Sequence, residues 1–82
     1  MEQERILVVD DDEGLLHLLR MRLSALGFSV TPCTTGRDAL VAAQQETFDI
    51  AITDLRLRAE DGLVLTEELL QVQPGLPVII LT

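Results

Sequence analysis

Three short apolar runs, each closed by a carboxylate or a hydroxyl, constrain this chain more than any other feature. Ile50-Ala51-Ile52-Thr53 runs straight into Asp54. Arg5-Ile6-Leu7-Val8-Val9 runs into Asp10, Asp11 and Asp12, and Pro77-Val78-Ile79-Ile80-Leu81 ends in Thr82. Runs this short and apolar at consecutive positions suit strands buried on both faces of a parallel sheet. In open α/β sheets the ligand crevice lies beyond the carboxyl ends of the strands. Parallel neighbours would therefore gather several acids and a hydroxyl along one edge of the sheet.

Helical signals fill the intervals between these runs. Asp12 or Asp11 can cap a helix that begins near Glu13, and Asp12 is the better placed of the two. Leu15, Leu19, Leu23 and Leu26 form one apolar face at helical spacing, widened by Leu16 and Leu18, and Gly27 stops the helix. Phe28-Ser29-Val30-Thr31-Pro32 reads as a short strand, and its proline suits a sheet edge. Thr35 with Asp38 forms a weak capping box before a small-residue helix carrying Ala39, Leu40, Ala42 and Ala43. After Asp54, the segment Arg56-Leu57-Arg58-Ala59-Glu60 reads as a loop. Asp61 can cap a third helix with Leu63, Leu65, Leu69 and Val72 on its apolar face, and Pro74-Gly75 ends it. The order is β-α-β-α-β-α-β with short connections, which predicts an α/β fold with right-handed crossovers.

Composition narrows the function classes. A chain of 82 residues allows one small domain. Its formal net charge is -8, all six basic residues are Arg, and there is no basic patch, which argues against direct nucleic-acid binding. The single Cys33 forms no internal disulfide and reads as a buried, reduced thiol. No apolar run approaches the roughly 18 residues of a membrane span. The start Met1-Glu2-Gln3-Glu4 is acidic and polar, unlike a signal peptide, so a cytoplasmic protein or a piece of one is expected. His17, on the first helix, reads as a solvated surface residue.

The acids carry the chemistry. An aspartate can attack phosphorus and form an aspartyl phosphate. Crowded carboxylates repel one another and an incoming phosphoryl group, and a hard divalent cation with oxygen ligands relieves both. One of Asp10, Asp11 and Asp12 suffices to cap the helix, so three exceed what a cap needs. Asp61-Gly62 reads as turn and cap chemistry. Two other readings stand beside this one. Asp10 and Asp12 fit the Asp-x-Asp pattern of a haloacid-dehalogenase-like phosphohydrolase with Asp10 as nucleophile. The chain could also be an inert fragment or an oligomerisation module.

Val8-Val9-Asp10-Asp11-Asp12, Asp54 closing an apolar strand, Asp61-Gly62, and Leu76-Pro77-Val78-Ile79-Ile80-Leu81-Thr82 together resemble a response-regulator receiver domain. The resemblance covers the whole chain. The stretch Val72-Gln73-Pro74-Gly75-Leu76-Pro77 is similar to receivers of sigma-54-dependent, NtrC-type transcription activators. This resemblance implies a flavodoxin-like, CheY-like parallel sheet with helices on both faces. It implies a phosphoacceptor rather than an enzyme, with Asp54 taking the phosphoryl group from a sensor histidine kinase. It also implies Mg²⁺ or Mn²⁺ held by Asp11, Asp54 and the backbone carbonyl of Arg56, with Asp10 acting through a bound water. Thr82 would donate its hydroxyl to a phosphoryl oxygen. Output, by transcription regulation, would lie in a domain or partner outside this chain.

Two departures from the family pattern bear on these expectations. Leu57-Arg58 and Glu60 stand where the family usually has Met-Pro and a Met-like residue, and the missing proline predicts a freer loop. The chain also ends at Thr82 and holds no Lys, whereas receivers continue through a further strand bearing a phosphate-binding Lys. Residues 1–82 are thus expected to be the N-terminal part of a receiver, with an incomplete phosphoryl site. An unpaired edge on the last strand would then favour self-association or strand swapping.

Overall fold

The computed structural model describes residues 3–58 and 60–82; Met1, Glu2 and Ala59 lie outside the described residues. The elements are β1 (Arg5–Val9), α1 (Glu13–Ala25), β2 (Ser29–Cys33), α2 (Gly36–Gln45), β3 (Ile50–Asp54), β4 (Arg56–Leu57), β5 (Glu60–Asp61), α3 (Gly62–Val72) and β6 (Val78–Leu81). Four strands form one sheet in the order β2-β1-β3-β6, and every neighbouring pair is parallel. The two interior strands, β1 and β3, are those that end in the acids. β2, with Pro32 in it, takes an edge, where a missing N–H costs no ladder bond.

Side chains alternate across a strand, so a strand apolar at every position feeds two cores. Leu7, Val9 and Ala51 pack with Ala39, Ala43, Leu65 and Leu69, on the face covered by α2 and α3. Ile6 and Val8 pack with Leu16, flanked by Ile50, Ile52, Leu19 and Leu23, on the face covered by α1. The expected three-layer α/β arrangement results.

Local signals start and stop the helices where the sequence places them. The carboxylate of Asp12 accepts the Leu15 amide at 3.1 Å, and Thr35 Oγ1 accepts the Asp38 amide at 3.1 Å. The carboxylate of Asp61 accepts the Leu63 amide at 2.8 Å. α1 ends with Gly27 at φ 97°; the Gly27 amide donates to the Ser24 carbonyl and the Phe28 amide to the Leu23 carbonyl. These are the paired bonds of a Schellman stop, which needs a left-handed residue that glycine supplies without strain.

Two helix faces differ from the expected ones. α1 buries Leu16 and half-buries Leu19 and Leu23, whereas Leu15, Leu18 and Leu26 lie exposed. α3 buries Leu65 and Leu69 and leaves Leu63 exposed. Leucine-rich helices offer more than one stripe at helical spacing, and the direction of the adjoining strands selects which one meets the sheet.

The loop after Asp54 is also not the free segment its missing proline suggests. Arg56–Leu57 pairs antiparallel with Glu60–Asp61 in a small hairpin. Leu57 is buried in the α2–α3 core, and the Glu60 carboxylate accepts the Gly36 amide, at the start of α2, at 2.8 Å. An acid at a helix N-terminus meets unsatisfied amides and the positive end of the helix dipole. The hairpin is therefore pinned from both sides. At the opposite end of the sheet, Gln73 donates to the carbonyls of Ala43 and Glu46 and accepts the Phe48 amide, tying the end of α3 to the turn between α2 and β3.

Candidate functional site

The strand register builds the site. Val9 of β1 pairs with Thr53 of β3, so Asp10 and Asp54 emerge side by side, one residue beyond that pair. The Asp10 amide still bonds the Cys33 carbonyl at 3.1 Å, which holds Asp10 to the line of β1. Asp11 comes next, at the turn into α1. One carboxylate oxygen from each of Asp10, Asp11 and Asp54 lies within 4.8 Å of the others. Asp10 is buried at 7% exposure, while Asp11 and Asp54 are half-buried.

Three carboxylates at this separation do not satisfy one another, because none donates a hydrogen bond when ionised. Burial raises the Asp10 carboxyl above its ordinary range, opposed by the bond it accepts from the Asp12 amide at 2.9 Å, and the charges of Asp54, Asp11 and Asp12 add to the rise. Oxygens around one Mg²⁺ ion lie roughly 3–4 Å apart, given bonds of about 2.0–2.1 Å. The cluster oxygens lie within 4.8 Å of one another, and the half-buried side chains of Asp11 and Asp54 can bring them to that spacing by small rotations. An all-oxygen donor set of this kind fits a hard divalent cation.

The backbone beneath Asp54 is closely packed. Thr53 is fully buried, and its hydroxyl donates to the Asp54 carbonyl at 3.1 Å. The Leu55 amide donates to the Leu81 carbonyl, and the Gly62 amide donates to the Leu55 carbonyl, both at 2.9 Å. A Cβ on Gly62 would collide with the Asp54 carbonyl and come within 2.9 Å of Leu55 Cα and 3.0 Å of the Leu55 carbonyl oxygen. The start of α3 therefore passes under Asp54 at a distance that only glycine allows.

Of the expected site residues, Asp10, Asp11 and Asp54 come together. The Arg56 amide, rather than its carbonyl, is the group seen against the cluster, donating to the Asp54 carboxylate at 3.3 Å. Leu81 is registered with Asp54, so Thr82, exposed, stands one position further along the neighbouring strand. One oxygen of the Asp12 carboxylate accepts the Leu15 amide as the α1 cap, and Asp12 also lines the cleft beside the cluster. His17 is exposed on α1, as expected.

Three contributions were not read from the sequence. Arg58 Nε lies 3.6 Å from Asp11 Oδ2. Glu60 anchors the hairpin to α2, and Gly62 does more than turn the chain. The alternation Leu55-Arg56-Leu57-Arg58 is a strand signal of period two that could have revealed the hairpin. Nothing local in the sequence announces the partners of Glu60 or Gly62, which come from other elements. Beside the cluster opens a cleft of about 740 Å³ whose walls include Asp11, Thr34, Thr35, Arg58 and Glu60.

With this geometry established, the comparisons with known proteins are specific. The profile of the response regulator receiver domain matches residues 6–82. The "Transcriptional regulatory protein GlrR" of Escherichia coli K12 is 48% identical over 77 residues, which is 94% of this chain and 17% of that protein. The "DNA-binding transcriptional regulator NtrC" of Salmonella typhimurium is 35% identical over 82 residues, all of this chain and 18% of that protein. The chain thus spans less than a fifth of the length of these curated relatives. Among solved structures, the receiver domain protein from Methanospirillum hungatei superposes with a TM-score of 0.93 at 30% identity, over 96% of this chain and 63% of that one. The receiver domain of the hybrid histidine kinase CckA gives a TM-score of 0.87 at 28% identity, covering 93% of this chain and 72% of its own. With the family profile matched over residues 6–82 and the fold shared with solved receiver domains, the chain belongs to the response regulator receiver domain family.

Proposed function

We propose that Asp54 is the phosphoacceptor of this receiver and that Asp10, Asp11 and Asp54, with the backbone carbonyl of Arg56, hold Mg²⁺ or Mn²⁺. The observation that carries this reading is the cluster itself: Asp54 ends an interior strand with carboxylate oxygens of Asp10 and Asp11 within 4.8 Å. An Asp54 carboxylate oxygen attacks phosphorus, the new O–P bond forms, and the bond to the donor breaks, leaving a neutral histidine or, with acetyl phosphate, acetate. Phosphoryl transfer asks the protein mainly for positioning and charge stabilisation. When bound, the divalent cation would neutralise the acids and the charge on the phosphoryl oxygens. In this reading the Arg56 amide orients the Asp54 carboxylate, and the Thr82 hydroxyl donates to a phosphoryl oxygen.

The phosphoryl donor in this reading is a sensor histidine kinase, and the output is transcription regulation in the cytoplasm by a domain outside residues 1–82. Support comes from the printed names of the relatives, which are transcriptional regulators, and from the small fraction of their length that this chain spans. In this reading residues 1–82 are the N-terminal part of a receiver unit. In the 82-residue chain alone, the outer edge of β6 has no paired strand among the described residues, and Ile79 and Leu81 are exposed. Self-association through β6 is expected; light scattering that shows a monomer at tens of micromolar would refute it.

Incubation with acetyl phosphate and Mg²⁺, followed by peptide mass spectrometry, tests the phosphoacceptor. A single phosphoryl label on Asp54, lost in Asp54→Asn, is the expected result. Label on Asp10, or undiminished labelling of Asp54→Asn, would refute the assignment.

A further inference from the structure

Arg58 occupies an unusual place for a cation. Only two ion pairs occur among the described residues, and one of them joins Arg58 to the acidic cluster, Nε to Asp11 Oδ2 at 3.6 Å. The backbone that carries Arg58 is fixed. Leu57, the residue before it, is buried, and Glu60, two residues after it, is bonded to the start of α2. The β4–β5 pairing closes the hairpin between them. The side chain itself is 87% exposed, so packing does not require an arginine there. The hairpin therefore holds an exposed positive charge at the rim of three crowded carboxylates.

We propose that Arg58 is a tethered counter-cation of the acidic cluster, and that it sets the affinity for a divalent cation by competing with it for Asp11. This inference rests on reading the cluster as the metal site. In the metal-free protein the guanidinium offsets part of the negative charge of Asp10, Asp11 and Asp54. A dication at the same carboxylate repels the guanidinium and must displace it. The pair is solvent-exposed and its distance is long, so displacement is easy and the effect is to moderate affinity rather than to block the site. An exposed pair of this kind corresponds to a change of about two- to five-fold in affinity. Hairpin anchoring by Glu60 and Leu57 keeps Arg58 close enough to return when the ion leaves.

Calorimetric titration of the 82-residue chain with Mg²⁺ and with Mn²⁺ tests this. Wild type, Arg58→Gln, Arg58→Lys and Arg22→Gln are compared at low and at physiological ionic strength. Arg22, in the last turn of α1, is an exposed arginine whose loss changes net charge equally. Arg58→Gln is expected to tighten both ions about two- to five-fold, with the gain shrinking as salt rises. Arg58→Lys should stay near wild type, and Arg22→Gln should change affinity by less than half that factor. Unchanged or weaker binding by Arg58→Gln overturns the inference, as does an equal gain from Arg22→Gln. Absence of binding by every protein overturns the metal reading itself, and this inference with it.

Discussion

Replacing Gly62 by Ala tests the packing beneath the site. The added methyl has no free direction: it meets the Asp54 carbonyl, and it lies 2.9 Å from Leu55 Cα and 3.0 Å from the Leu55 carbonyl oxygen. All three are backbone atoms, so no side-chain rotation relieves the overlap. Overpacking of this kind costs about 1–3 kcal/mol. Alanine regains up to about 1 kcal/mol of helix propensity over glycine, and less at the first helical position. The net loss, with about half of that gain realised, is therefore about 0.5–2.5 kcal/mol. In a domain of this size that is a fall in melting temperature of roughly 2–20 °C. The same strain displaces the Asp54 backbone, so Mg²⁺ affinity should fall several-fold even in the folded population. Gly75→Ala is the control, because its Cβ would meet nothing within 4 Å and Gly75 has no positive φ. Thermal melts in chelator, with calorimetric Mg²⁺ titration at a temperature where both variants are folded, give the two readouts. A Gly62→Ala protein that melts within 2 °C of wild type (about 0.5 kcal/mol or less) and binds Mg²⁺ equally well would refute the close-approach argument.

Three further outcomes are expected. Because the folded-state pKa of Asp10 is raised, the folded state binds more protons than the unfolded chain between the two values. The contribution of this group to metal-free stability is therefore fully present below the unfolded value near 3.8 and is lost as pH rises through the folded one. Asp10→Asn keeps an oxygen acceptor for the Asp12 amide, so it should melt above wild type at neutral pH in chelator, with the gap narrowing on acidification; a gap independent of pH would refute this. Gln73→Ala removes three hydrogen bonds from the end of α3 to the end of α2 and the α2–β3 turn, and at about 0.5–1.5 kcal/mol each it should cost roughly 1.5–4.5 kcal/mol in urea unfolding. A loss below about 0.5 kcal/mol would mean that water replaces those bonds. Burial pushes the Cys33 thiol up to about 11, aided by Asp38 and Glu46, so alkylation at pH 8 should be slow in the native protein and accompany unfolding on addition of urea; rapid native alkylation would place the thiol at the surface.

Short-range periodicity and caps made much of this protein legible in its residues. Apolar runs too short for helices specified the strands β1, β3 and β6, and consecutive apolar residues in β1 and β3 specified two covered faces. Asp12, Thr35 and Asp61 specified the helix starts, since each bonds an amide only two or three residues away. The clustering of Asp10, Asp11 and Asp54 was legible because a polar residue that closes a buried strand emerges at the sheet edge. Folding in three dimensions settled which stripe of a leucine-rich helix is buried, so Leu16 rather than Leu15 meets the sheet. It also made the segment after Asp54 a pinned hairpin. That outcome depends on Leu57 entering a core supplied by α2 and α3, and on Glu60 finding the Gly36 amide 24 residues earlier. Contacts across such separations carry no periodic trace in the chain. For the same reason the pairing of Arg58 with Asp11, and the passage of Gly62 beneath Asp54, exist only once the strands have set these residues side by side.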